Sequence, residues 1–337
     1  MSHRLTCLLV LVLLLAACGQ TELDTVQRDV SEGGGDATTG DTDADAPAAG
    51  EGLEVVTTIY PLAWLVESVA PGAAITEAGS QGQDPHDLEL TPSERGLLEN
   101  ADVVAYLGPI SFQPQVEQAV ETSQAEVVSA SDVVGEDRLL SFHGHEHHDH
   151  DHDDDHGDHD HDHGDVDPHF WFDLEMMGDV GHAVAEAFTS ADPDNADVYR
   201  ANAEKLDGEL TGAARTIDDQ LSDCRLDTAV VSHEAYAYLL APRELHQEGV
   251  SDAGGHGGAS PQRLADLVDH IRDNDVPMVL AEPVEGRADA EALAEEAGVE
   301  LGNILSLDIV TDEARGQGLP ALVEAQAQAF SEAMDCG

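Results

Sequence analysis

DPDNADVYRANAEKLDGELTGAARTIDDQLS, residues Asp192–Ser222, decides how the rest of the chain is organised. Asp192 is a helix N-cap residue, Pro193 stands where the first turn tolerates a missing N–H, and no further proline follows through Ser222. The pattern predicts one long helix over 191–223. Gly208 and Gly212 weaken it, each by about 1 kcal/mol relative to Ala. On the N-terminal side, β-rich runs alternate with helical patterns: Leu53 to Ile59 then Leu62 to Ala70, and Asp102 to Leu107 then Gln113 to Glu121. On the C-terminal side the rhythm resumes. Strands are predicted at Thr228 to Ser232, Val276 to Ala281 and Asn303 to Leu307, with helices at Pro261 to Arg272 and Ala288 to Ala297. The expected fold is therefore two α/β lobes, 53–190 and 224–337, joined by one long rigid connecting helix, with any ligand site in the cleft between them.

The chain has 337 residues, enough for about two domains with substantial cores. Asp and Glu number 70 against 13 Lys and Arg, a net charge of -57, which repels phosphate backbones and anionic lipid surfaces. No nucleic-acid partner is expected. Lys205 is the only lysine, a sign of compositional bias or salt adaptation.

At the N-terminus, His3 and Arg4 precede an apolar run from Leu5 to Ala17, too short for an ordinary membrane span. It reads as a secretory signal over 1–17. The run ends in Leu15-Ala16-Ala17-Cys18-Gly19, which resembles the lipobox of bacterial lipoproteins and implies acylation of Cys18. From Cys18 to Gly52 the composition is rich in Gly, Asp, Ala and Thr, as expected of a flexible tether spanning a few tens of ångströms. With Cys7 removed and Cys18 lipidated, Cys224 and Cys336 remain in an oxidising setting. A disulfide between them is expected, two buried thiols being the alternative.

Two tripeptides repeat, Asp84-Pro85-His86 and Asp167-Pro168-His169. Proline holds the preceding Asp extended and fixes its own φ, so each His sits on a stiff turn. Taken singly, either is a surface turn with an incidental histidine. His233 follows the run Thr228-Ala229-Val230-Val231-Ser232 at the carboxyl end of a predicted strand, where open α/β sheets bind ligands. Asp308 stands in the same relation to Ile304-Leu305-Ser306-Leu307. Three neutral imidazoles with one carboxylate or water suit Zn²⁺, whereas manganese takes more oxygen.

Between the two tripeptides, residues 143–165 carry His143, His145, His147, His148, His150, His152, His156, His159, His161 and His163 among Asp, Gly and Glu. A tract without apolar residues cannot form a core and is expected to be a solvated loop with weak auxiliary metal sites. His182, His246 and His270 fit structural or solvated positions, and His256 in Asp252-Ala253-Gly254-Gly255-His256-Gly257-Gly258 fits an exposed turn.

Thr58-Ile59-Tyr60-Pro61-Leu62, Asp84-Pro85-His86-Asp87-Leu88-Glu89-Leu90-Thr91-Pro92-Ser93, the His-rich insertion, Asp167-Pro168-His169-Phe170-Trp171-Phe172-Asp173 and Val231-Ser232-His233-Glu234-Ala235-Tyr236-Ala237-Tyr238-Leu239 follow one another along the chain. In this order they resemble the cluster A-I metal-binding lipoproteins of bacterial ABC importers, especially the zinc-binding branch. The resemblance implies metal ligation by His86, His169 and His233, with Asp308 or water as fourth ligand. It also implies a permease and its ATPase as partners, a lipid anchor on the outer face of the cell membrane, and a monomer. Members with histidine at the third position resemble zinc binders, and manganese members carry glutamate there. The chain departs from the pattern in lacking a proline after Asp308 and in its Gly-rich segment around His256.

Other readings are a manganese or iron solute-binding protein, a zinc buffer acting through the His tract, and a zinc hydrolase. Against the last, Glu234 follows His233 but position 237 is Ala, so no His-Glu-x-x-His helix exists, and no Gly-x-Ser-x-Gly elbow is present.

Overall fold

The computed structural model describes residues 48–79, 85–141, 166–251, 259–283 and 286–337. The signal segment, Cys18, Asp84, the ten histidines of the 143–165 tract and His256 lie outside the described residues. Ala48–Gly52, assigned by composition to the tether, forms a turn against the first lobe: Ala49 is buried and Gly72 N donates to Ala49 O at 2.9 Å.

Four strands, β1 (Glu54–Thr57), β2 (Ala74–Glu77), β3 (Val103–Tyr106) and β4 (Glu126–Ser129), form a parallel sheet in the order β2-β1-β3-β4. After the connecting helix, β5 (Thr228–His233), β6 (His246–Ser251), β7 (Met278–Ala281) and β8 (Glu300–Asn303) form a second parallel sheet in the same pattern, β6-β5-β7-β8. The central strands are near-continuous buried apolar runs, as parallel strands covered on both faces must be. In each sheet the order reverses beside the first strand, between β1 and β3 and between β5 and β7. That reversal opens a crevice at the carboxyl ends.

The connecting helix is Ala196–Gln220, led in by a 3₁₀ turn at Pro193–Asn195. Its buried residues Tyr199, Ala203, Leu206, Leu210, Ala213 and Ile217 alternate spacings of four and three, which places them on one stripe. At 1.5 Å per residue it is about 37 Å long. That stripe packs on the Leu174–Ala191 helix and on the C-terminal Leu319–Met334 helix. Asp173 caps the former, its side chain accepting from Glu175 N and Met176 N. One continuous hydrophobic cluster includes Leu65 of the first lobe, Leu210 of the connecting helix and Phe330 of the second lobe. The lobes therefore share a core, which stiffens the linkage between them.

The structure corrects the placement of the last strand. Residues 304–307 lie beyond β8, which ends at Asn303 opposite Ala281 of β7. Ile304 N still donates to Ala281 O at 3.1 Å, but Ser306 and Leu307 are buried by packing, which is why an apolar run there imitates a strand. Cys224 and Cys336 are joined by a disulfide across a sequence separation of 112.

Candidate metal centre

Each of the three candidate histidines sits at a turn or at the end of a strand. His86 is the middle residue of a 3₁₀ turn, Pro85–Asp87, with its ring edge-on to Phe112 at a centroid distance of 4.5 Å. His169 immediately precedes the 3₁₀ turn Phe170–Phe172, whose three aromatic side chains are buried. His233 is the last residue of β5, at the switch point of the second sheet.

The fold gathers them into one group. Ring centroids lie 5.1 Å apart for His169 and His233, 5.5 Å for His86 and His169, and 5.6 Å for His86 and His233. One nitrogen from each falls within 4.8 Å of the other two. Zn–N bonds of about 2.0–2.1 Å set tetrahedral nitrogens about 3.4 Å apart, so shifts of about an ångström close the group on an ion. The His169 and His233 side chains are buried, and His86 is partly exposed.

His169 shows how such a ring is prepared. Its Nδ1 lies 2.8 Å from Asp167 Oδ1, and its backbone N donates to the same oxygen at 3.0 Å. An ionised carboxylate only accepts, so this contact places the proton of the neutral ring on Nδ1 and leaves the Nε2 lone pair for a ligand. Nε2 is buried and meets no hydrogen-bond partner, which suits a nitrogen that waits for a cation.

His233 also has a carboxylate beside it, with Glu282 Oε1 3.3 Å from Nδ1. Glu282 follows β7 directly and receives the Tyr236 hydroxyl on Oε1 at 2.9 Å. Sequence reasoning missed Glu282 altogether and read Asp167 only as part of a turn. The one signal for Glu282 was its place after a strand neighbouring β5.

Asp308 is buried beside this centre but is not one of the group of three. Its Oδ1 accepts from Ser306 Oγ at 2.5 Å and Ile309 N at 2.8 Å. Burial pushes its carboxyl above the usual range and nearby Glu282 adds to this, against the Ser306 hydrogen bond and the His169 ring. Leu307, which leads into Asp308, is fully buried with φ 68°, a strained left-handed backbone for a branched residue. Trp171 Nε1 donates to Ser306 O at 2.8 Å, tying the Asp308 loop of the second lobe to the His169 turn of the first. Tyr238 OH donates to Asp167 O at 3.0 Å and accepts from Leu140 N at 2.7 Å, a second tie between lobes. Arg315 and Glu77 pair across the lobes with the guanidinium 5.0 Å from the Tyr60 ring centroid.

The remaining described histidines stand apart from the group. His182 is exposed on the Leu174–Ala191 helix and His246 is exposed at the start of β6, whereas His270 has Nδ1 3.5 Å from Glu248 Oε1.

Comparison with known proteins gives the arrangement a context. Residues 55–333 match the family model ZnuA, zinc-uptake complex component A, periplasmic. The manganese-binding lipoprotein MntA of Halalkalibacterium halodurans is 25% identical over 281 residues, covering 82% of this chain and 86% of the relative. The high-affinity zinc uptake system protein ZnuA of Paracoccus denitrificans is 32% identical over 272 residues, covering 72% and 83%. The solved structure of the periplasmic zinc binding protein TroA from Treponema pallidum superposes with a TM-score of 0.71 at 19% identity, over 84% of this chain and 99% of that one. Among the described residues, no helix is long and apolar enough to cross a membrane.

Proposed function

The chain belongs to the ZnuA family of solute-binding transport proteins, and on that premise we propose that it captures Zn²⁺ outside the cytoplasm and delivers it to the permease of an ABC importer. The observation that carries this reading is the convergence of His86, His169 and His233 within 4.8 Å at the carboxyl ends of the sheets. The ion is the cargo. Membership of the family implies a permease and an ATPase as partners.

Three imidazole nitrogens favour a four-coordinate, borderline ion over Mn²⁺, which prefers oxygen and a larger coordination number. The relative named for manganese keeps the Mn²⁺ reading as the alternative. Histidine at position 233 is what argues for zinc here. Asp308 or water completes the coordination. Asp167 supports the reading from outside it by orienting His169.

Capture requires neutral imidazoles, so affinity falls in mildly acidic solution. The shared core and the ties through Trp171 and Tyr238 favour a site that closes by small shifts of loops over a wide hinge motion. Lipidation at Cys18 would hold the protein beside its permease, and the His tract at 143–163 would collect ions weakly. A hydrolytic role finds no support, because the centre lacks the helical His-Glu-x-x-His arrangement.

His233→Glu tests the assignment. It is expected to weaken Zn²⁺ binding and move preference towards Mn²⁺ in competition titrations. Unchanged preference would contradict it.

A further inference from the structure

We infer that Glu282 is a positioning residue of the metal centre, holding the His233 ring from behind and supplying negative charge that balances the bound dication. The inference rests on the reading of His233 as a ligand and goes beyond it.

Glu282 is not one of the side chains whose ligand atoms gather within 4.8 Å of one another. It reaches the site through His233, whose Nδ1 lies 3.3 Å from its Oε1. Its own position is fixed at three points. The backbone N of Glu282 donates to Ser232 Oγ at 3.0 Å, the Tyr236 hydroxyl donates to Oε1 at 2.9 Å, and β7 pairs with β5 immediately upstream. Gly286 draws the following chain against the same strand end: with φ 61°, a Cβ there would lie 2.8 Å from Ser232 O.

The Glu282 side chain is 4% exposed. A charge taken out of water at such a place needs compensation, and a tyrosine hydroxyl is neutral. An ion held by His233 supplies it. Three neutral imidazoles offset none of the double charge of the metal, and the carboxylates of Asp167 and Glu282, each beside one imidazole, supply negative charge towards it. Two rings thus each have a carboxylate beside Nδ1, hydrogen-bonded at 2.8 Å in His169 and lying 3.3 Å away in His233, one from each lobe.

A purely structural role would be to anchor Tyr236, whose ring packs at 5.0 Å against both Phe172 and Phe330. Glu282→Gln separates the two roles, because it keeps the volume and an oxygen for the Tyr236 hydroxyl and removes the charge. In the full chain, Zn²⁺ affinity is read by competition with a chelator strong enough to strip weak sites, and bound Co²⁺ is read by its visible absorption. Glu282→Gln is expected to lower Zn²⁺ affinity about 10–100-fold and to shift the Co²⁺ bands, with the metal-free thermal midpoint unchanged or raised. Glu282→Asp, which keeps the charge, is expected to recover part of the lost affinity.

Wild-type affinity and an unshifted Co²⁺ spectrum in Glu282→Gln would overturn the inference, as would Glu282→Asp performing no better than Glu282→Gln. His233→Ala in the same titration keeps the two readings apart. If it leaves tight binding intact, the assignment of His233 itself fails. If it abolishes tight binding while Glu282→Gln does not weaken it, only the role of Glu282 fails.

Discussion

Replacing both Cys224 and Cys336 by Ser opens a covalent loop whose ends are 112 residues apart. For a loop of that size, chain entropy gives a loss of about 16 cal/mol/K in the unfolded ensemble, or about 4.8 kcal/mol at 25 °C. The native state keeps its other ties at the same place. Leu226 N donates to Met334 O at 3.0 Å, Arg225 N to Asp335 O at 3.2 Å, and the Arg225 side chain pairs with Asp335 at 2.9 Å. The C-terminal helix therefore stays docked on the connecting helix, and the effect falls on the unfolded chain. For the compact unit 46–337, unfolding entropy scales to roughly 0.6 kcal/mol/K, so the thermal midpoint should fall by about 8 °C. Scanning calorimetry of metal-free wild type and the double Ser variant measures this, and wild type under reducing conditions should match the variant. Midpoints agreeing within about 2 °C would refute the chain-entropy argument.

Asp308 and Cys18 give two further tests. The raised pKa of buried Asp308 means that its ionised form opposes folding: the stability is fully present below about pH 4 and is lost as pH rises through the folded value. Metal-free Asp308→Asn should therefore melt above wild type at neutral pH, with the gap closing at acid pH, and a lower midpoint at neutral pH would contradict this. Cys18→Ala should move the protein from the membrane to the soluble fraction, and full retention at the membrane would refute the lipid anchor.

Long-range organisation was legible where the sequence carries periodicity. The connecting helix announces itself through one proline at its start and an apolar stripe from Tyr199 to Ile217, and β5 through the run Thr228 to Ser232 that leads into His233. The edge strands were not legible. Ala74–Glu77 and His246–Ser251 are largely half exposed, so they lack the apolar run that marks β3 or β5. The buried run at 304–307 was mistaken for a strand because packing and pairing select the same residues. In the site, the two Asp-Pro-His turns and His233 could be read because each joins an imidazole to a recognisable local device. Glu282 could not, since a carboxylate following a short strand acquires meaning only when β7 pairs with β5 and sets it beside His233.

The central claim is that His86, His169 and His233 form one tight Zn²⁺ site. A chelator-competition titration of protein lacking residues 143–163 tests it, comparing the parent with single Ala substitutions at the three positions. One tight site per chain is expected in the parent, and each substitution should weaken it by more than the roughly 10–100-fold that losing an outer partner costs. Tight binding retained in all three variants would contradict the account.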